Sequence, residues 1–402
     1  MSLFLSKIEN LPHFSLPIRI AIVYAAYFIM SGIYLPYMPV WLANRGLDVG
    51  QIALILTVPL LVRTIISPPL AYLLDRHVDN RTALILLALV SGGTFVLLYF
   101  GNTFAAIFAI FVILALTSNL FMPVLDGFAL AAAQAFRLDY GRMRLWGSLA
   151  FIVATLGGAL VIDQIGVNAI LAVMAIAYWV SALAAFALPR SSTLPDSAAA
   201  AGGAPMDLSA VFRLLSRPGF LSVLLIASLI QSTHAVYYSF GTLNWQRLGL
   251  ANNLIGLLWS LGVIAEIILF AWSRKIMSMT GPLRLLIMAA AAAMLRWGLM
   301  GLDPGVPLLL LAQLLHAMTF GAVHLAAMEF ITREIPRKLA TTAQSVYLAI
   351  ASITMALATY MSGVLYEGYA GAAYIFMAVI GGGAAVILYV LRRAIRSGRL
   401  AI

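Results

Sequence analysis

Four charged side chains stand inside long apolar runs of this sequence: Arg63, Asp126, Glu266 and Arg296, and His234, His316 and His324 share that setting. A charge in hydrocarbon costs about 2.5–3.5 kcal/mol on insertion scales, so such residues face a partner or an aqueous path. Their types offer two kinds of chemistry, proton transfer and anion binding. Desolvation favours the uncharged form of a carboxyl. That suits Glu266, set in Leu261-Gly262-Val263-Ile264-Ala265-Glu266-Ile267-Ile268-Leu269, to carry a proton. An arginine fork holds a carboxylate through two hydrogen bonds, which suits Arg63 to bind an anionic solute while Asp126 takes a proton. The structural alternatives are ion pairs: Arg63 with Asp126, and Glu266 with His324 or Arg296.

Depth along a helix follows from about 1.5 Å of rise per residue. On that scale Arg63 and Asp126 lie about 15 Å, Glu266 and His324 about 10–12 Å, and His234, Arg296 and His316 about 20 Å from one end of their runs. His316 and His324 are eight residues apart, about 12 Å along the axis, too far for one metal ion. No metal site is expected. His234 and His316 read as cavity-lining hydrogen-bond donors or proton relays, with His324 a further proton-coupling candidate. Tyr27, Tyr34 and Trp41 fall at heptad steps, and His234, Tyr238, Gly241 and Trp245 form one helical stripe. Tyr34 and Tyr238 are expected to line a cavity, with Asn119 and Arg296 as further solute contacts. Trp41 and Trp245 close their runs and read as interfacial anchors.

The elements that carry these residues follow from composition. The chain has 402 residues, 63% hydrophobic and 9% charged, with a mean hydropathy of +1.02. A soluble domain carries about 25% charged residues, so a soluble enzyme, a disordered chain and a fibrous repeat are excluded. Apolar runs of about 20 residues require spanning helices rather than barrel strands. Twelve are read, at 17–43, 50–74, 81–100, 103–136, 145–163, 168–188, 219–245, 251–273, 282–301, 305–331, 338–365 and 370–391. The fold class is therefore all-α and polytopic, with the lipid bilayer as its surroundings.

The net charge of +10 resides in short loops, which argues against a nucleic-acid partner. With both termini on one side, only Arg45 and Arg247 fall on the other, Arg63 and Arg296 lie within spans, and 20 of 24 basic residues remain on the first. That asymmetry places both termini in the cytoplasm. The N-terminus lacks the small-residue cleavage site of a signal peptide and reads as retained. With no cysteine, disulfide and zinc–thiolate chemistry are excluded. No phosphate-binding glycine loop occurs, so the expected energy source is a proton gradient, without a cofactor.

A Ser, Ala, Gly and Pro-rich stretch separates the sixth and seventh spans. It divides the chain into six-helix bundles at 1–189 and 211–402, joined by a cytoplasmic linker at 190–210. Tyr34 and Trp41 recur at a shift of 204 as Tyr238 and Trp245; at 203, Arg63 meets Glu266 and Asp126 meets Glu329. Two related, like-oriented halves follow.

Twelve spans, a central linker and this repeat resemble the major facilitator superfamily over the whole chain. Leu74-Asp75-Arg76 followed by Arg81 resembles its signature loop between spans two and three, although Pro68-Pro69 and His77-Val78 depart from it. The resemblance implies a gate built from Asp75, Arg76 and Arg81. Leu138-Asp139-Tyr140-Gly141-Arg142-Met143-Arg144-Leu145-Trp146-Gly147-Ser148 is similar to nucleoside and sugar relatives. His234-Ala235-Val236-Tyr237-Tyr238-Ser239-Phe240, Leu258 through Glu266, Arg296-Trp297-Gly298 and His316 through Met328 resemble the phenylpropionic acid transporter group. That likeness implies proton-coupled uptake of a small organic solute such as an aromatic carboxylate, by a monomer in a bacterial inner membrane. Sugar or nucleoside symport stays open. So does efflux, although span five carries Gly157-Gly158 and no proline. Metal-ligand clusters and nucleophile–base pairings are missing, which argues against a membrane enzyme.

Overall fold

Proline and side-chain hydrogen bonds decide where the apolar runs bend and stop. The computed structural model describes residues 15–190, 208–336 and 339–397. The stretch read as a linker falls almost wholly outside these residues. Contacts divide the chain into two compact units, one drawn from Met1–Leu47 and Leu61–Ala204, the other from Asp48–Leu60 and Pro205–Ile402.

The first unit is built from α1 (Leu16–Asn44), α2 (Val49–Ile65), α3 (Ser67–His77), α4 (Asn80–Leu98), α5 (Phe104–Phe136), α6 (Tyr140–Ile165) and α7 (Ala169–Phe186), with the opening part of α2 grouped with the second unit. The helix axis turns by 54° between α2 and α3. Pro68 and Pro69 explain the turn, since each lacks an N–H and crowds the carbonyl one turn earlier. Helix starts are capped: Asp79 accepts from Arg81 N at 3.1 Å, Thr103 from Ala106 N at 3.3 Å and Asp139 from Arg142 N at 3.0 Å. Asp139, read within a family motif, thus has a defined structural task.

The second unit continues with α8 (Leu208–Leu215), α9 (Pro218–Ser232), α10 (Ala235–Arg247), α11 (Asn252–Ala271), α12 (Ser273–Thr280), α13 (Pro282–Met300), α14 (Val306–Leu314), a π-helical turn (Ala317–Ala322), α15 (Val323–Glu334), α16 (Ala340–Tyr369) and α17 (Ala373–Arg396). Among the described residues ten segments are long and apolar enough to cross a membrane, or eleven with α2 and α3 as one bent span. The segment Thr342–Ala394 has 53 residues. At 1.5 Å per residue it would reach about 80 Å against a hydrocarbon core of about 30 Å. The turn at Ala370–Ala372 divides it into α16 and α17, which brings the count to twelve.

Large apolar side chains point outward along the spans, as at Val153, Leu183, Leu357 and Val379. This surface suits lipid, and the polar minority is left to the interior. In the first unit α1 lies against α6 and α7. At Gly32 a Cβ would come within 2.6 Å of the Phe151 carbonyl oxygen. Thr155 Oγ1 donates to the Gly32 carbonyl at 2.9 Å across the same contact. Overpacking costs about 1–3 kcal/mol, and here the obstacle is backbone. Gly32→Val is expected to lower the thermal midpoint of the detergent-solubilised protein, read by fluorescence-detected gel filtration. Gly157→Val, where a Cβ meets open space, should shift it little.

Candidate functional site

The second unit gathers four of the sequence-identified polar residues around one buried cation. Three successive side chains between α9 and α10 turn back onto the preceding turn. Ser232 Oγ donates to Leu229 O at 2.9 Å, Thr233 Oγ1 to Ile230 O at 2.6 Å, and His234 Nδ1 meets Gln231 O at 2.9 Å. These bonds compete with the helical ladder and interrupt the span at His234. The neighbouring span is interrupted by the π-helical turn just after His316. Such turns recur at functional sites.

Arg296 on α13 reaches between these two interruptions and is fully buried. Its Nη1 lies 3.0 Å from His316 Nδ1, 3.2 Å from His234 Nε2 and 2.9 Å from Thr319 Oγ1. Nη2 donates to Gln313 Oε1 at 3.1 Å. The guanidinium sits over Trp297, 4.3 Å from the ring centre, and over Tyr237 at 4.9 Å. These ring faces attract a desolvated cation. His316 Nε2 stands 3.8 Å from Glu266 Oε2 on α11. Two glycines permit that approach, since a Cβ at Gly262 would lie 3.3 Å from the His316 ring and one at Gly321 would lie 3.2 Å from Glu266 Cγ. The result is a chain of contacts from cation to imidazole to carboxylate across three spans.

Thr319, Gln313, Tyr237 and Trp297 were given no site role in the sequence, although Tyr237, Trp297 and Thr319 fall within the stretches that carry the family resemblance. Gln313 stands three residues before His316, a spacing that brings side chains to one helix face, and Thr319 stands three residues after it, inside the π-helical turn. Tyr238, which was singled out, is half-buried and stacks on His234 with centroids 5.4 Å apart.

In the first unit the ion pair between Arg63 and Asp126, one of the two readings of these residues, does not form. Asp126 accepts instead from Tyr24 Oη at 2.5 Å and Tyr140 Oη at 2.9 Å, with Arg144 Nε at 4.0 Å. Matching depth placed Arg63 and Asp126 at one level, but their helices turn them to different neighbours. Arg63 is exposed and has no hydrogen bond or ion pair among the described residues. Tyr27 lies within electrostatic reach of both groups. An exposed cation this deep in a span is tolerable only where water or a ligand meets it.

Other sequence-identified residues lie apart from these clusters. Tyr34 is half-buried against Phe95, with centroids 6.5 Å apart. Asn119 is half-buried on α5 and His324 is exposed on α15. Arg76 turns to Tyr72 Oη at 3.3 Å on its own helix, Arg81 begins α4, and the Asp75 side chain lies outside the described set. Trp41 and Trp245 are not interfacial anchors: both are buried, Trp41 donating from Nε1 to Asn168 Oδ1 at 3.0 Å. Each faces its own bundle, so a span-closing position did not put it at the lipid surface. Among the described residues no group of three or more histidine or acidic side chains could hold a metal ion.

Polar groups buried along apolar spans suit passage of a solute. The MFS_1 like family matches residues 17–378. The chain belongs to this family. It is 31% identical over 362 residues to the Escherichia coli (strain K12) protein called "Probable 3-phenylpropionic acid transporter", covering 90% of this chain and 94% of that one. It is 26% identical to the maltose permease of Geobacillus stearothermophilus, over 89% of each chain. The crystal structure of nucleoside transporter NupG superposes with a TM-score of 0.79 at 17% identity, covering 94% of this chain and 99% of that one. The D-xylose-proton symporter does so with a TM-score of 0.70 at 13% identity, covering 93% and 97%. The chain is thus a multi-pass membrane transporter of the major facilitator fold, not an enzyme.

Proposed function

We propose that this transporter is a proton symporter that takes up a small organic acid, of the aromatic carboxylate class, by alternating access. The observation that carries the reading is Arg63: an exposed residue within a span, whose guanidinium has no anionic partner among the described residues. An anionic solute would supply that partner through a two-pronged hydrogen bond. Tyr27 beside it offers a ring to an aromatic substrate, in keeping with the relative named for 3-phenylpropionic acid. Glu266, held at His316 in the second unit, is the proton carrier of this reading, with Asp126 as the second carboxyl. The names of the maltose and nucleoside relatives favour a neutral solute, which would leave Arg63 without a task.

The remaining assignments rest on the charge distribution and the repeat. We place both termini in the cytoplasm of a bacterial inner membrane, because 20 of 24 basic residues then lie inside. Six-helix bundles at 1–189 and 211–402 joined at 190–210, a gate from Asp75, Arg76 and Arg81, and function as a monomer complete the proposal.

Uptake by proteoliposomes tests it. Labelled 3-phenylpropionate is expected to enter by counterflow and to accumulate when the outside is acidic, and a protonophore should abolish accumulation. Counterflow of maltose or uridine, with none of 3-phenylpropionate, would reject the carboxylate assignment.

A further inference from the structure

Resting on the reading of Glu266 as proton carrier, we infer that Arg296 locks His234 and His316 in single neutral tautomers. His316 then presents a standing Nε2–H to Glu266 and positions that carboxyl without relaying protons. The argument is a count of hydrogens. A guanidinium donates and never accepts. Arg296 Nη1 lies 3.0 Å from His316 Nδ1 and 3.2 Å from His234 Nε2, so both ring nitrogens must accept. A neutral imidazole has one N–H and one acceptor. The hydrogen of His316 therefore sits on Nε2 and that of His234 on Nδ1.

His234 supplies an independent check. Its Nδ1 lies 2.9 Å from the Gln231 carbonyl oxygen. A carbonyl only accepts, so Nδ1 must carry hydrogen, in agreement with the Arg296 contact on the other side of the ring. Thr319 completes the pattern. Nη1 has two hydrogens and three neighbours, and the Thr319 hydroxyl accepts from Nη1 at 2.9 Å while it donates to His234 Nε2 at 3.1 Å. Two Nη1 hydrogens then serve three acceptors, so one of them is shared, and the Thr319 hydroxyl hydrogen is shared with the His316 carbonyl oxygen at 3.3 Å.

The consequence falls on Glu266. The hydrogen on His316 Nε2 lies on the Glu266 side of the ring, with Oε2 at 3.8 Å, within ion-pair reach and longer than a hydrogen bond. A second proton on His316 would set an N–H against the donor edge of Arg296 and place a second cation beside a fully buried one. The groups around the pair come from every neighbouring element. Arg296 is on α13, His234 at the α9–α10 break, Tyr237 and Tyr238 on α10, Gln313 on α14, Thr319 in the π-helical turn, and Tyr374 on α17 approaches Arg296. In this set Glu266 is the carboxyl. It is left as the group that can gain and lose a proton, and His316 as the donor that steadies its charged form.

Two measurements test the assignment. The first is solid-state 15N spectroscopy of the histidine-labelled full-length protein in lipid, assigned by comparison with His316→Gln. From about pH 6 to 8, across the ordinary histidine range, His316 is expected to show a bare Nδ1 and a protonated Nε2. A doubly protonated ring there, or the opposite tautomer, overturns the proposal. The second is the pH midpoint of uptake in proteoliposomes. Glutamine can accept from Arg296 and donate to Glu266 but cannot relay a proton, so His316→Gln should keep pH-driven accumulation with its midpoint in place. Phenylalanine offers neither an acceptor nor a donor, so His316→Phe should move the midpoint to higher pH, because a donor that favours the charged carboxylate is removed from its side. Loss of pH-driven accumulation in His316→Gln, with counterflow retained, would make His316 a relay and reject the inference. The tautomer is read on the unmodified protein, and comparison with His316→Phe supplies the assignment should His316→Gln fail to fold. If Glu266→Gln still concentrates solute, the carrier reading falls while the spectroscopic assignment is untouched.

Discussion

Glu266→Gln is expected to abolish accumulation driven by a pH gradient while leaving exchange of solute down its own gradient. Glutamine keeps the shape of the side chain and its capacity to accept from His316, but it neither binds nor releases a proton. It therefore holds the site in an imitation of its protonated state. A proton drives transport only by binding one conformation better than another, and the substitution removes that preference. With one proton per solute, a gradient of one pH unit supports about tenfold accumulation, since one unit of pH and a tenfold concentration ratio are equal in free energy. The variant should level off near equal concentrations on both sides. Counterflow of labelled against unlabelled solute should survive, because it needs substrate binding and the conformational change alone. The expected collapse is large because Arg296 is buried with Glu266 as the carboxylate reached through His316. Accumulation by Glu266→Gln at the level of the unmodified protein would make this carboxyl structural and pass the role to Asp126.

Particular residues show what could be read from the sequence and what could not. His234, Arg296 and His316 were placed at one depth by counting rise from the span ends, and they meet. The count works because rise per residue is nearly constant in any helix. The same count set Arg63 level with Asp126, and there it misled: depth says nothing of the direction in which a side chain leaves its helix. The partners of Asp126 are Tyr24 and Tyr140. Tyr24 stands one turn before Tyr27 on the same helix, but an ordinary tyrosine in an apolar span carries no mark of its partner. Thr319 was hidden for another reason. It lies in a π-helical turn, and the wider turn changes which residues share a face with His316. Helical periodicity assumes a uniform pitch, which fails at the interruptions that build the site. Trp41 and Trp245 show the converse error. Their positions at span ends suggested the lipid interface, and their burial shows that the inward faces of the bundles reach to the helix ends.

Arg63→Gln is expected to weaken binding of carboxylate solutes strongly and to spare neutral analogues. Arg63 stands on α2 three residues before the bend at Ile66, an exposed residue without an ion pair among the described residues. Its hydrogen bonds are therefore free for a ligand rather than committed to the fold. A hydrogen bond to a charged group contributes about 1.5–3 kcal/mol, or roughly 10- to 150-fold in affinity. Glutamine retains one donor group and loses both the charge and the fork, so the half-saturation concentration for 3-phenylpropionate should rise by an amount in that range. Arg63→Lys keeps the charge without the planar fork and should fall between the two. The discriminating ligand is 3-phenylpropionamide, which has the same ring and chain length without the anion. Its binding, measured by competition against the labelled acid or by quenching of tryptophan fluorescence, should change by less than the acid's by roughly a factor of ten. Equal weakening for acid and amide would show that Arg63 shapes the site without binding the carboxylate, and the reading of this transporter as an anion symporter would lose its main support.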